Sequence, residues 1–528
     1  MKKFLTPYIL RVQKFEKRVY SRRTAYITLC TLSFLYILPI LLAGVDYIDD
    51  NARRVGGYYD WGNLGRYATE GIMHLLTFSG NTMMDPGRLM QVLSIPVLAY
   101  AGYSFSRALL DDKKQKFTAE SLLAGAVLVV NPFLIANLSF RYDSFSMILG
   151  YMLAIVAGSK LASGSEWKNI FAGAVLLFIS AALYQPMVLM CLVVAFVLIL
   201  KKTSGRLTQS YQQAARIAGG FILGLGVYFT SLKVAQSSSV GGPSRGVLVP
   251  ISQAGFEQVL DNFRHGIDTV LSVMSGMTGK ILFVSITTLL VIGLGMLVYK
   301  YFLFRQWSKI TIIAAIPLIL VISIMGPFVL MQSALTYQVR TLSAGVGMLL
   351  LLATLIAIIH NNYFRYIGAI VVILTTAYFM NISYAYGSAL SIQRDHDKAV
   401  YDELDDLILN NHELQNAGVV LIGGSPSQPT SVRNIIQKRN IFSRLDIAGD
   451  NSTWYLWQRL RDERIISGEV EWYVQSKEQE EMRMQICKSN DAAVHSSPYY
   501  SVYHASNDMY IFWQHDPMQQ NAFCANIR

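Results

Sequence analysis

The chain has 528 residues, 53% of them hydrophobic and 15% charged, and carries a net charge of +11. That charged fraction is well below the quarter usual in soluble domains, so a chain that is soluble throughout is excluded. A nucleic-acid face is excluded too: eight Lys or Arg residues precede residue 24 and the rest cluster between apolar runs, with no basic stripe beside aromatic platforms.

The apolar residues fall in runs of about twenty, the length that crosses a bilayer core. The runs predict about eleven spans, near 24–45, 88–110, 118–138, 144–162, 169–184, 187–200, 216–235, 281–304, 310–331, 341–359 and 366–386. The basic segment before the first span is too long for a cleaved signal, and Thr24 to Val45 exceeds a signal core, so the segment reads as an uncleaved anchor. Residues 169–200 form one apolar run with Lys168 at one end and Lys201 and Lys202 at the other. Two basic ends prefer the cytoplasm, and Pro186 interrupts the run. A hairpin with its tip at Tyr184-Gln185 satisfies both, and such short helices predict a recessed tip lining a wet cavity.

With the N-terminus inside, the loops 111–117, 163–168, 201–215, 305–309 and 360–365 are cytoplasmic and richer in Lys and Arg than the opposite ones. The C-terminal part is then outside. Two outer loops, 46–87 and 236–280, are long. Amphipathic patterns in 61–78 (Leu64, Ala68, Ile72, Leu75, Leu76) and 253–277 (Phe256, Leu260, Phe263, Ile267, Val270, Leu271) predict helices lying at the membrane surface. The stretch 237–246 is flexible by composition. Gly219, Gly220, Gly224 and Gly226 lie within a span and suit close helix packing.

Beyond residue 386 the sequence becomes mixed and charged, giving a membrane domain over 1–386 and a soluble α/β domain over 387–528. There a polar helix is predicted over 396–414, and strands over 419–424, 469–474, 499–504 and 509–513. Of the four cysteines, Cys30 and Cys191 lie in spans, whereas Cys487 and Cys524 lie in the outer domain, where an oxidising compartment favours a bridge over two free thiols.

The chemistry is concentrated in residues 46–66. Asp46, Asp49 and Asp50 stand at i, i+3 and i+4, so a helix continuing from the first span would group them on one face. Arg53 and Arg54 follow one turn later. A carboxylate there can take a proton from a sugar hydroxyl, an arginine can hold a lipid-linked phosphate, and Tyr58, Tyr59 and Trp61 can stack on a sugar ring. The bland alternative is a solvated charged loop. Further polar clusters occupy other outer turns: Arg141 and Asp143, Tyr184 and Gln185, and Tyr337-Gln338 with Arg340. Each has a plain reading, a surface pair or an interfacial anchor; together they read as one site assembled from separate loops. No phosphate-cradling loop and no HExxH spacing occurs, and Arg394-Asp395-His396-Asp397 reads as a solvated helix start rather than a metal site.

The stretch Ile48–Glu70 resembles the serotype-converting O-antigen glucosyltransferases, the type-specific Gtr enzymes of enterobacteria and their phages. The likeness rests on Asp49-Asp50, Arg53, Gly57-Tyr58, Trp61 and Gly65-Arg66, with Phe140–Ser144 and Tyr184-Gln185. The resemblance implies a GT-C type fold in a bacterial inner membrane. It implies transfer of a sugar, glucose being the one expected, from a polyprenyl-phosphate donor to a lipopolysaccharide O-antigen acceptor, with inversion, on the periplasmic face. It makes an acid of the first outer loop the base, with Asp50 preferred to Asp49. Arg53, Arg54, Tyr58, Trp61, Arg66, Arg141, Asp143, Tyr184, Gln185 and Arg340 are the expected substrate-binding residues. The resemblance names no cofactor, and whether a divalent metal helps the phosphate leave stays open. Two rivals stand beside it: a flippase of lipid-linked saccharides, which would show repeats and midplane broken helices, and an O-antigen polymerase or ligase.

Overall fold

The computed structural model describes residues 19–110, 116–163, 166–202, 207–235, 248–332, 338–417, 419–423, 428–445, 447, 459–460, 465–466, 469–471, 493–505 and 508–513. The Cys487–Cys524 pair, Tyr337 and the 237–246 stretch lie outside the described residues. The chain divides into two compact units: Met1–Leu41 with Tyr59–Ala385 and Arg439–Leu445, and Leu42–Tyr58 with Tyr386–Lys438 and Asp446–Arg528.

The first unit is almost wholly helical. A two-residue strand β1 (Val19–Tyr20) precedes helix α1 (Arg22–Ala43). The short helix α2 (Asp50–Gly56) belongs to the second unit. After it come α3 (Tyr67–Thr77), α4 (Leu89–Ala108), strand β2 (Phe117–Thr118), α5 (Ala119–Val129), α6 (Ile135–Ser139) and α7 (Ser144–Ala162). The series continues with α8 (Trp167–Leu183), α9 (Leu189–Lys202), α10 (Leu207–Ala235), α11 (Gln253–Ser272), α12 (Gly276–Leu303), α13 (Trp307–Met325), α14 (Gly347–Ile358) and α15 (Asn362–Leu409). Among the described residues seven helices are long and apolar enough to cross a membrane, and four shorter apolar helices accompany them. Each predicted span falls on one of these, and the protein is a multi-pass membrane protein.

Breaks in the spans are satisfied inside the unit, as a medium without water requires. The third span is interrupted at Asn131-Pro132 by a 3-10 turn. The Tyr36 hydroxyl donates to the Asn131 carbonyl at 2.7 Å, and Asn131 Nδ2 donates to the Ser343 carbonyl at 2.8 Å, so the freed backbone groups are used. The hairpin at 169–200 forms as expected: α8 ends at Leu183, Tyr184 is extended, and Gln185–Val188 make a 3-10 turn leading into α9. Its tip is buried, with Tyr184 1% exposed.

Helices α3 and α11 invert the soluble pattern. In α11 the small and polar Gly255, Asn262, Gly266, Thr269 and Ser272 are buried, while Phe256, Leu260 and Leu271 are exposed. In α3 Thr69, Met73 and Thr77 are buried while Leu75 is exposed. Outward apolar faces on both helices suit a lipid neighbour.

In the second unit, the C-terminal part of α15 is followed by α16 (His412–Gln415), β3 (Val419–Gly423), α17 (Thr430–Lys438), β4 (Glu469–Glu471), β5 (His495–Ser496), β6 (Tyr500–Ala505) and β7 (Asp508–Trp513). The five strands form a mixed sheet in the order β4-β3-β7-β6-β5, with β3 parallel to β4 and β7. Val400, Tyr401, Leu404 and Ile408 of α15 pack with Val420, Tyr500, Val502, Ile511 and Trp513 to make its core. The polar helix expected over 396–414 is therefore not separate: it continues the last span in one uninterrupted helix, because no Gly or Pro separates them after Gly387.

Candidate active site

The expectation that Asp46, Asp49 and Asp50 share one face of a prolonged first helix is corrected. The helix stops at Ala43, Gly44 turns with φ 68° and Ile48 with φ 52°, and a new helix starts at Asp50. The acids consequently take different tasks. Asp46 pairs with Arg54 at 3.2 Å, and Arg54 also donates to Asn51 at 2.9 Å. Asp49 is exposed at the N-cap. Asp50 is 0% exposed and accepts from the Tyr47 backbone N–H at 3.0 Å. The Arg53 guanidinium lies 5.3 Å from the centre of the half-exposed Tyr58 ring. All of these belong to the second unit.

In the first unit, residues from separate turns converge. Trp61 Nε1 donates to Asp143 Oδ1 at 2.7 Å, and Arg66 reaches the same oxygen at 3.4 Å. The Arg66 guanidinium also lies over the Tyr184 ring, 4.5 Å from its centre. Gln185 Nε2 donates to the Leu64 carbonyl at 2.9 Å and to the Tyr228 hydroxyl at 2.8 Å, and Tyr228 donates to the Gly65 carbonyl at 3.1 Å. Gly65 is required here: its φ is 74°, and a Cβ would meet the Tyr228 hydroxyl at 2.8 Å and Gln185 Nε2 at 3.1 Å. The loop is fastened further by Thr69, donating to the Leu183 carbonyl at 2.8 Å, and by Glu70, accepting from Gly62 N–H at 2.6 Å. The outcome is an arginine held between a carboxylate and a ring at a hairpin tip.

Two expected residues stand differently. Trp61 is fully buried beside Tyr142, Met73 and Met90, so its ring offers no face for sugar stacking and acts through its N–H on Asp143. Tyr59 is buried as well, stacked on His74 at 3.7 Å with its hydroxyl bonded to Ser79. Arg141 pairs with Asp85 at 2.6 Å. Arg340 donates to Gln338 at 2.9 Å and lies 5.4 Å from the Phe140 ring centre.

Sequence reasoning missed Tyr228, Thr69, Glu70 and Asp85. Tyr228 was legible in principle, as a tyrosine within a glycine-rich span. Thr69 and Asp85 carry no local signal, since their partners are remote in sequence. Among the described residues no group of three or more His, Cys, Asp or Glu is arranged to hold a metal ion.

Apolar helices whose inter-span turns gather an arginine, a carboxylate, a tyrosine and an amide define a multi-pass membrane protein with a polar site built from its loops. Residues 38–353, more than half of the chain, match the glucosyl transferase GtrII family, and the chain belongs to that family. It is also 27% identical over 237 residues to a Salmonella phage P22 protein described as an uncharacterized 55.3 kDa protein in the gtrB 5′ region. That match covers 44% of this chain and 47% of the phage protein, so the chain spans about half the length of the curated relative it matches.

Proposed function

We propose that the protein is an inverting glucosyltransferase that takes glucose from a polyprenyl-phosphate carrier and transfers it to an O-antigen glycan on the periplasmic face of a bacterial inner membrane. The observation that carries the reading is the assembly of Arg66, Asp143, Tyr184 and Gln185 from three inter-span segments, all inside the region matching the GtrII family. In this reading Arg66 holds the carrier phosphate, with Arg141 and Arg340 adding positive charge around it; Arg53 and the exposed Tyr58 ring, in the second unit, remain substrate-binding residues on the sequence reading.

The reaction needs one base. The acceptor hydroxyl oxygen attacks the anomeric carbon, the bond from that carbon to the phosphate oxygen breaks, and its electron pair leaves on the polyprenyl phosphate. Asp50 takes the hydroxyl proton. Its burial in the first turn of α2 supports it over the exposed Asp49, because a base held away from bulk water is not consumed by solvation. Trp61 and Asp143 are positioning residues that orient Arg66. The remaining assignments belong to the same proposal: a GT-C type membrane domain over 1–386, a cytoplasmic N-terminus, a periplasmic domain over 387–528, and a Cys487–Cys524 bridge.

The test is a pair of isosteric variants. Asp50→Asn should lower transfer by about a hundred- to ten-thousand-fold, the range of general base catalysis, with insertion and donor binding intact. Asp49→Asn should keep most activity. Near-normal glucosylation in both would move the base elsewhere, with Asp143 next in line.

A further inference from the structure

At the end of α8 opposite the hairpin tip, a groove of about 550 Å³ opens between α8 and α10. That volume is within the ordinary range for a small-molecule site. Its α10 wall is one helical face: Gln212, Arg216, Gly219, Gly220 and Leu223 follow one another at helical spacing, with Trp167 and Ile170 facing them from α8.

The wall is graded. Gln212, Arg216 and the exposed indole of Trp167 form a polar end; Gly219, Gly220, Ile170 and Leu223 continue into an apolar one. The glycines do different things. A Cβ on Gly220 would meet Leu161 Cδ2 at 2.4 Å, and one on Gly224 would meet the Ala174 carbonyl at 2.7 Å, so these two permit close helix packing as the sequence led one to expect. A Cβ on Gly219 would meet nothing within 4 Å. Helix packing accounts for Gly220 and Gly224 and not for Gly219, whose missing side chain is open space in the groove.

Charge says what fits. Lys168 is already paired with Glu166 at 2.9 Å, whereas Arg216 has no hydrogen bond or ion pair among the described residues. A guanidinium with no hydrogen bond or ion pair among the described residues, at the head of an apolar furrow with a tryptophan at the rim, complements an amphiphile with an anionic head.

We infer that this groove is a binding site for one anionic phospholipid, its phosphodiester at Arg216 and Gln212 and an acyl chain along Gly219 toward Leu223. The flanking Lys and Arg place it at the cytoplasmic leaflet, away from the reaction proposed above, and its test does not depend on that reaction. The lipid would fill the gap between α8 and α10, and so brace the helix whose other end carries Tyr184.

The full-length protein in mild detergent is titrated with phosphatidylglycerol and with phosphatidylcholine of the same chains, and retained lipid is counted by native mass spectrometry. The expected result is preferential retention of one phosphatidylglycerol. Arg216→Gln should lower that preference about fivefold, equivalent to ~1 kcal/mol for one basic residue at an anionic headgroup. Gly219→Leu should abolish retention of both lipids by filling the groove. Gly226→Leu, whose Cβ also meets nothing within 4 Å but which lies outside the groove, should change nothing. Equal retention by the wild type, Arg216→Gln and Gly219→Leu would overturn the proposal. Displacement of phosphatidylglycerol by equimolar polyprenyl phosphate would overturn it too, by assigning the groove to the carrier.

Discussion

The segment between the first two spans is held differently along its two halves. Residues 46–58 make short-range contacts: Arg54 with Asp46 and Asn51, Asp50 with the Tyr47 N–H, Arg53 over Tyr58. Residues 59–78 add remote contacts to local ones such as Gly62 with Glu70: Trp61 bonds a residue 82 positions away, Thr69 one 114 away and Tyr67 one 164 away. The first half contains a short helix of its own, α2, with Asp50, Asn51, Ala52 and Arg53 buried. The second is fixed by the membrane helices and is preorganised only as long as they are. Removing the Asp50 carboxylate should alter rate, and damage to the remote contacts of the second half should alter both rate and stability.

The sharpest test of that contrast after Asp50 is Asp143. Asp143→Asn removes the charge that holds Arg66 while keeping a partner for Trp61. Glucosyl transfer should fall about a hundredfold, and thermal unfolding should show ~1–3 kcal/mol of lost stability, the usual cost of spoiling a buried charge-assisted bond. Trp61→Phe should also lower both, and its double variant with Asp143→Ala, which removes the acceptor, should cost less than the sum, since the two residues act through one contact. Strict additivity would mean that they serve separate ends.

Arg66→Lys should come next, with about a tenfold loss of turnover, because a lysine keeps charge but loses the fork and the stacking on Tyr184. Smaller losses are expected for lysine at Arg53, Arg141 and Arg340. Full activity in all four would make these arginines loop anchors alone. Gly65→Ala probes the backbone of the same half: a φ of 74° and contacts of 2.8–3.1 Å should cost ~1–3 kcal/mol of stability, with activity lost in proportion to folded protein.

The smallest effect extends the contrast to α15, where Asp397 accepts from Gln393 at 2.8 Å, again one turn away. Burial pushes its carboxyl up to about 7. The folded state thus holds a proton that the unfolded chain releases near pH 4, so stability falls as pH rises from there through about 7. Asp397→Asn should flatten that slope and leave the variant more stable than wild type at pH 8, read as slower hydrogen exchange in peptides covering 393–404 of the full chain. An unchanged slope would place the titration elsewhere.

The spans were legible because length and apolarity are read directly against bilayer thickness, and the 184–185 tip because two basic ends and one proline leave a single topology. What was not legible depended on backbone turns and distant partners. Gly44 and Ile48 break the helix that would have aligned the acids, and nothing in the local pattern separates Asp50 from Asp49. Trp61 reads on composition as a sugar platform, and only its burial against Tyr142 and its bond to Asp143 show otherwise. The continuous α15 was hidden by a change from apolar to charged sequence that the backbone does not register.

The most direct test supplies the purified full-length protein with polyprenyl-phosphate glucose and a defined O-antigen acceptor and analyses the glycan by mass spectrometry and NMR. The account predicts one added glucosyl residue per modified repeat, an anomeric configuration opposite to that of the donor, and free polyprenyl phosphate released in equal amount. Retained configuration would contradict the single-base mechanism. No transfer, with the same protein moving the lipid-linked glucose between the leaflets of a vesicle, would contradict the account outright.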